Sequence, residues 1–148
     1  MLAHQVSELP IFVYGTLMVG ERNYIGILHD NLVKHEKASV KGELYYYRKE
    51  DYPALADGTH TVAGQFFYVK QLDQVFKPLD EIEGYLAPNH PENMYDRKIL
   101  DVKTASGEIK KAYAYVINPR LLKHEGEEFT LMTPRCWKTF NQLQKTDK

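Results

Sequence analysis

"YDRKILDVKTASGEIKKAYAYVI", Tyr95 to Ile117, holds two runs in which β-branched and aromatic residues recur with strand-like alternation, 95–104 and 109–117, separated by "ASGE". A short glycine-containing link between two such runs predicts the turn of an antiparallel hairpin. The same period-two pattern recurs in "PIFVYG" at 10–15, "SVKGELYYY" at 39–47 and "TVAGQFFYV" at 61–69, so the hairpin belongs to a larger sheet. Helical spacing marks "NYIGILHDNL" at 23–32, "QLDQVFKPLDEIEG" at 71–84, and the tail, where Trp137, Phe140 and Leu143 recur every three residues. These patterns predict an α+β protein on a mostly antiparallel, barrel-like sheet. The segment "YLAPNHPEN" at 85–93, with two prolines and two asparagines, predicts a surface loop. Gly42 and Gly64 interrupt strand patterns, where glycine often marks a bulge or a bend, and a strongly curved sheet would use both.

At 148 residues, with 43% hydrophobic and 12% aromatic content, the chain predicts one domain over 1–148 with a substantial core. Nineteen basic against 20 acidic residues, a net charge of -1, supply no field for a phosphate backbone, so no nucleic-acid partner is expected. No apolar run approaches the ~18 residues of a membrane span. "MLAHQVSELP" lacks the charged and apolar regions of a signal peptide, which makes a cytoplasmic location the expectation. The single cysteine, Cys136, excludes an internal disulfide and paired-cysteine zinc sites. In "TPRCWKTF" it has no adjacent histidine, and it fits a small buried hydrophobe better than a nucleophile. His29-Asp30 alone falls short of the three or more ligands a metal needs, so no metal is expected. The oligomeric state is not encoded in any pattern.

The helical segment 71–84 separates its acids by face. At about 100° per residue from Leu72, Val75, Phe76, Leu79 and Ile82 lie within roughly 80° on either side, Glu83 near 20° among them, and Glu81 near 180°. Asp73 and Asp80 flank the stripe at about 100° and 80°. Pro78 can split the segment into two short helices, but Leu79, Ile82 and Glu83 still share a face within the second. Gly84 is placed to cap the helix beside the acid. An arbitrary glutamate at a helix end is solvated; one drawn inward acquires the raised pKa that acid–base chemistry near neutral pH requires.

"IFVYGTLM", 11–18, breaks its own strand pattern at Gly15-Thr16. A glycine after a strand lets successive backbone N–H groups converge on an anion, and Thr16 adds a hydroxyl. Together with a core-facing glutamate in an "EG" helix end, this is more specific than either alone. In "FVYGTLM", "YPALADG" (52–58), "VAGQFFYV" (62–69), "LDEIEGY" (79–85), "YDRKILDV" (95–102), "AYAYV" (112–116) and the closing "CWKTF", the chain resembles the γ-glutamylcyclotransferase-like family. Its "VYGTL" is more similar to the γ-glutamylamine cyclotransferase and avirulence-induced, AIG2-like, branch than to the "GYGSL" of the glutathione-specific one. "LAPNHPEN" lengthens the link between Gly84 and Tyr95 relative to that pattern.

The resemblance implies a small mixed barrel with flanking helices, a loop of Tyr14, Gly15, Thr16 and Leu17 that binds the glutamyl end of a small γ-glutamyl substrate, and Glu83 as the acid–base. The implied reaction is an acyl transfer: the α-amino group of a γ-glutamyl amide attacks its own δ-carbonyl, releasing a free amine and 5-oxoproline. Such a ring closure demands no cofactor. Tyr45, Tyr46, Tyr47, Tyr52, Tyr95 and Tyr115 are candidates to wall the pocket. The competing reading is a non-catalytic binding or interaction module on the same fold.

Overall fold

The computed structural model describes residues 9–15, 17–18, 28–133 and 135–140. Along the chain run β1 (Ile11–Val13), β2 (Leu32–Tyr47), β3 (Tyr52–Val69), helix α1 (Leu72–Glu83), β4 (Tyr95–Thr104), β5 (Ile109–Ile117), the short helix α2 (Pro119–His124) and β6 (Phe129–Leu131). The hairpin expected at Tyr95–Ile117 is present, in register from Tyr95 opposite Ile117 to Lys103 opposite Ile109, with Gly107 in its turn at φ 91°. The strands follow the order β3-β1-β5-β4-β2, and β2 pairs again with β3. The sheet therefore closes into the small mixed barrel with flanking helices that the sequence predicts. Every pairing is antiparallel except β1 with β5, which is parallel at Ile11 and Tyr113.

Two strands are longer than their hydrophobic pattern. β2 begins at Leu32 and β3 at Tyr52, not at 39 and 61. The added part of β2 is mostly exposed, and that of β3 includes Pro53 and the exposed Asp57-Gly58. Ladder pairing, from Leu32 opposite Val69 to Tyr47 opposite Tyr52, holds what side-chain alternation does not announce. The ladder slips at Gly42/Glu43, a bulge that bends both strands. Of the helix expected at 23–32, residues 23–27 lie outside the described residues; His29–Asn31 form one 3-10 turn and Leu32 already belongs to β2. In the tail, residues 137–140 are helical, and Leu143 lies outside the described residues.

Pro78 does not divide α1. The helix runs unbroken from Leu72 to Glu83, burying Leu72, Val75, Phe76 and Leu79 on both sides of the proline. That stripe offsets the backbone hydrogen bond a proline removes. Gly84, at φ 63°, ends it: its N–H donates to the Glu81 carbonyl at 3.3 Å while Tyr85 N–H donates to that of Asp80 at 2.8 Å, the paired bonds of a Schellman cap. Around α1 the core gathers Ile11, Phe12, Phe66, Phe67, Tyr95 and Ala114, all nearly inaccessible to solvent.

At Gly64 the barrel wall is so tight that an added Cβ would sit 2.4 Å from the Val13 carbonyl oxygen and 2.5 Å from Phe12 Cζ. Gly64→Ala should therefore cost about 1–3 kcal/mol or more by overpacking, measured by urea unfolding. A stability within 0.5 kcal/mol of the parent would show that β1 and β3 can separate without loss, roughly the range of an ordinary surface change.

Candidate functional site

β1 leaves the sheet at Tyr14, and the chain turns at once. Met18 N–H donates to the Gly15 carbonyl at 3.0 Å, closing a tight turn. The Tyr14 hydroxyl donates to the Tyr115 carbonyl at 2.5 Å and accepts from Leu55 N–H at 3.3 Å. It thereby ties the end of β1 to β5 and β3, with its one proton committed to backbone. Gly15 is required for a reason other than the turn geometry expected of it. It is not among the residues with left-handed backbone; instead an added Cβ would lie 2.5 Å from Pro53 Cγ. The glycine permits close approach of β3.

A small, partly open pocket lies at this turn. Phe12, Val13, Leu17 and Pro53 form its apolar walls, Tyr14, Tyr52 and Tyr115 its aromatic ones, and Gly15 and Glu83 complete the lining. No lysine or arginine is among these described lining residues.

Glu83 is the acid in this lining, and the helical period brings it there. It is 8% exposed, while Glu81 on the opposite face of α1 is exposed. No hydrogen bond from the described residues meets its carboxyl group. Burial, and secondarily the negative charge of Asp80 one turn earlier, pushes its pKa from 4.5 up to about 8. Burial also pushes the Tyr14, Tyr95 and Tyr115 hydroxyls well above the usual tyrosine range, with Glu83 adding to each. These phenols are neutral donors. Tyr95 donates to the Pro53 carbonyl at 3.0 Å and Tyr52 to that of Ile82 at 3.4 Å, bracing the pocket wall against the helix end.

Asp80 is held quite differently. Arg97, from β4, grips both its carboxylate oxygens at 3.0 and 2.8 Å, and the Tyr115 hydroxyl donates to it at 2.6 Å. The guanidinium lies 3.9 Å from the centre of the Phe76 ring and 5.0 Å from that of Tyr85. Sequence reading named Asp80 only as a flank of the apolar stripe and missed Arg97, whose signal was its place in "YDRKILDV".

Of the five site residues expected, Tyr14, Gly15, Leu17 and Glu83 line the one pocket, and Thr16 lies outside the described residues. Among the tyrosines, Tyr52 and Tyr115 line it and Tyr95 supports it. Tyr45, Tyr46 and Tyr47 are elsewhere: Tyr45 and Tyr47 meet Phe129, and Tyr46 stacks on Trp137. Cys136 is half-buried, and the His29–Asp30 pair is exposed. The 85–93 loop does not border this pocket. Asn93, buried, accepts from Leu86 N–H at 2.6 Å and donates to the Ala87 carbonyl at 2.8 Å, which folds the loop on itself.

The family model for "Gamma-glutamyl cyclotransferase, AIG2-like" matches residues 11–139. The chain belongs to this family. A γ-glutamyl cyclotransferase relative, the γ-L-glutamyl-butirosin B γ-glutamyl cyclotransferase of Niallia circulans, is 34% identical over 108 residues, 73% of this chain and 66% of the relative. The chain thus spans slightly under two thirds of that relative's length. Among solved structures, YkqA from Bacillus subtilis superposes with a TM-score of 0.67 at 23% identity, covering 93% of this chain and 42% of that one. An AIG2-like protein from Mus musculus gives 0.63 at 23% identity, with 87% of each chain covered. At such identities the two structures speak for the AIG2-like fold.

The buried acid makes a thermodynamic prediction independent of any activity. A carboxyl whose pKa rises from 4.5 to about 8 on folding holds a proton the unfolded chain releases, so its contribution favours folding least at high pH. Between about pH 4.5 and 8 the parent should lose ~1.4 kcal/mol per pH unit relative to Glu83→Gln, read from paired urea titrations. A pH-independent difference would place the carboxylate in water.

Proposed function

We propose that the protein is an acyltransferase that cleaves γ-glutamyl amides, releasing a free amine and 5-oxoproline. The observation that carries the reading is Glu83: a carboxyl group buried in an apolar pocket, with no hydrogen-bond partner among the described residues, opposite the turn that follows β1. Desolvating an acid is costly, and a group left so is poised to exchange a proton with a ligand.

The substrate contains its own nucleophile. Its α-amino group, an ammonium in water near neutral pH, must be free of its extra proton before it attacks the δ-carbonyl. Glu83 takes that proton; the new lactam C–N bond forms as the amide C–N bond breaks, Glu83 returns the proton to the departing nitrogen, and the second proton of the attacking nitrogen passes to the freed amine or to solvent. A pKa near 8 lies close to that of an α-amine, so the proton passes between them with little driving force lost in either direction. Because attack is intramolecular, the walls of Phe12, Leu17, Tyr52 and Pro53 mainly need to select the folded-back rotamer of the glutamyl chain. With no cationic side chain in the described lining, the α-carboxylate and the developing oxyanion fall to backbone N–H groups of the segment after β1, where Tyr14, Gly15 and Leu17 line the pocket.

Incubation with a panel of γ-glutamyl amides and amines, with 5-oxoproline quantified, tests the reading. Turnover by the parent and a ~10²–10⁴-fold lower kcat for Glu83→Gln are expected. Tight binding of γ-glutamyl compounds with no 5-oxoproline from any of them would instead mark a binding module. Gly15→Val, which forces a side chain into Pro53, should raise KM for the same substrates at least several-fold in a folded variant. An unchanged KM would remove the turn from the binding site.

A further inference from the structure

Helix α1 carries two acids on adjacent faces of its last turns, and the barrel treats them in opposite ways. Glu83 meets an apolar pocket, whereas Asp80, three residues earlier, meets a guanidinium and a phenol from two neighbouring strands. We propose that the Asp80–Arg97 ion pair is the positioning element of the site: it anchors the end of α1 to β4 and β5 and sets the electrostatic field in which Glu83 exchanges its proton. The inference rests on Glu83 being the acid–base of the proposed reaction.

The geometry supports both parts. Arg97 reaches both oxygens of Asp80 through one nitrogen, Nη1, a charge-assisted contact that holds the two groups together. The face of Phe76, one turn before Asp80 on the same helix, packs on that guanidinium at 3.9 Å, so one arginine holds two successive turns of α1. The Tyr115 hydroxyl bonds Asp80 while the Tyr115 carbonyl receives the Tyr14 hydroxyl. One residue of β5 thus links the anchored acid to the start of the ligand-binding turn.

The groups that face Glu83 divide simply. Asp80 is the acid on its own helix, Tyr14 comes from the end of β1, Tyr52 from β3, Tyr95 from β4 and Tyr115 from β5. Burial holds the protons of Tyr14, Tyr95 and Tyr115, so these phenols are neutral near neutral pH. The charges that remain are Asp80 and its partner Arg97. The Asp80 charge raises the proton affinity of Glu83, and the opposite charge of Arg97 stands against it. Removing either partner therefore acts on Glu83 in opposite directions.

The test is the sign. In Asp80→Asn the negative neighbour is gone and Arg97 stands unbalanced, so Glu83 should release its proton about one pH unit lower. In Arg97→Gln the Asp80 charge is uncompensated, and the release should move up by about one unit. Arg97→Lys retains the charge and should stay within a few tenths of the parent. Two readouts are taken: the acidic limb of kcat/KM against pH for a turned-over γ-glutamyl amide, and the pH dependence of the stability difference between each variant and the same variant carrying Glu83→Gln. The second needs no activity, so it decides this inference even if no γ-glutamyl compound is turned over. Opposite shifts with retention in Arg97→Lys support the proposal. Shifts of the same sign, or none, overturn it and leave the pair as a purely structural clamp. If Arg97→Gln does not fold, a downward shift in Asp80→Asn against none in Arg97→Lys supports it, and no shift in Asp80→Asn overturns it.

Discussion

Three residues, Ile11–Val13, join two strands that are not neighbours in the sheet order, pairing antiparallel with β3 on one side and parallel with β5 on the other. A strand this short closes the barrel only by fitting tightly, which is why Gly64 lies under Phe12 and the Val13 carbonyl with no room for a methyl group. The same tightness makes the pocket. Immediately after Val13 the chain leaves the sheet, and the Tyr14 hydroxyl fastens the exit to β5 and β3 at once. Pro53 then presses on Gly15, so the turn that follows β1 is seated against rigid strands. Sites carried by such elements hold their geometry better than sites on free loops.

Against that wall α1 delivers its last residue. A Schellman cap stops the helix at Glu83, and Met94 fills the space beside Gly84: Met94 N–H donates to the Gly84 carbonyl at 2.9 Å, and an added Cβ at Gly84 would meet its side chain at 3.0 Å. One further turn of helix would carry the backbone past the pocket; one fewer would leave the acid outside it. The helix end is therefore as much a part of the site as the carboxyl, and its position depends on packing between α1, β4 and β5.

Much of this was legible in the sequence, for identifiable reasons. β4 and β5 are legible to the residue because two strand-like runs flank a short glycine-containing turn, even though six consecutive residues of β5, Ala112–Ile117, are all buried. Glu83 was read from the helical period alone, since a stripe of Leu72, Val75, Phe76 and Leu79 leaves little freedom to a residue on the same face. The outer halves of β2 and β3 were not read, because exposed strands held by backbone pairing carry polar residues on both faces. The role of Gly15 was misread as backbone freedom, because nothing local tells that Pro53, 38 positions away, will press on it. Arg97 was invisible for the same reason: its partners, Asp80 and the Phe76 and Tyr85 rings, come from another part of the chain.

A buried carboxyl with no hydrogen-bond partner among the described residues works against folding, and its cost grows with pH up to the point where it ionises. The molecule could relieve this by giving Glu83 a donor, as it gives Asp80 two. Such a partner would stabilise the carboxylate and lower its proton affinity, which is the property a proton carrier near neutral pH must keep. The strain is placed where the scaffold can hold it: the long β2–β3 ladder and the β4–β5 hairpin bracket the pocket with paired backbone, and three phenols around the acid direct their hydroxyls to backbone carbonyls or to Asp80 instead of Glu83. Three nearby donors committed elsewhere leave the acid free for a ligand to partner.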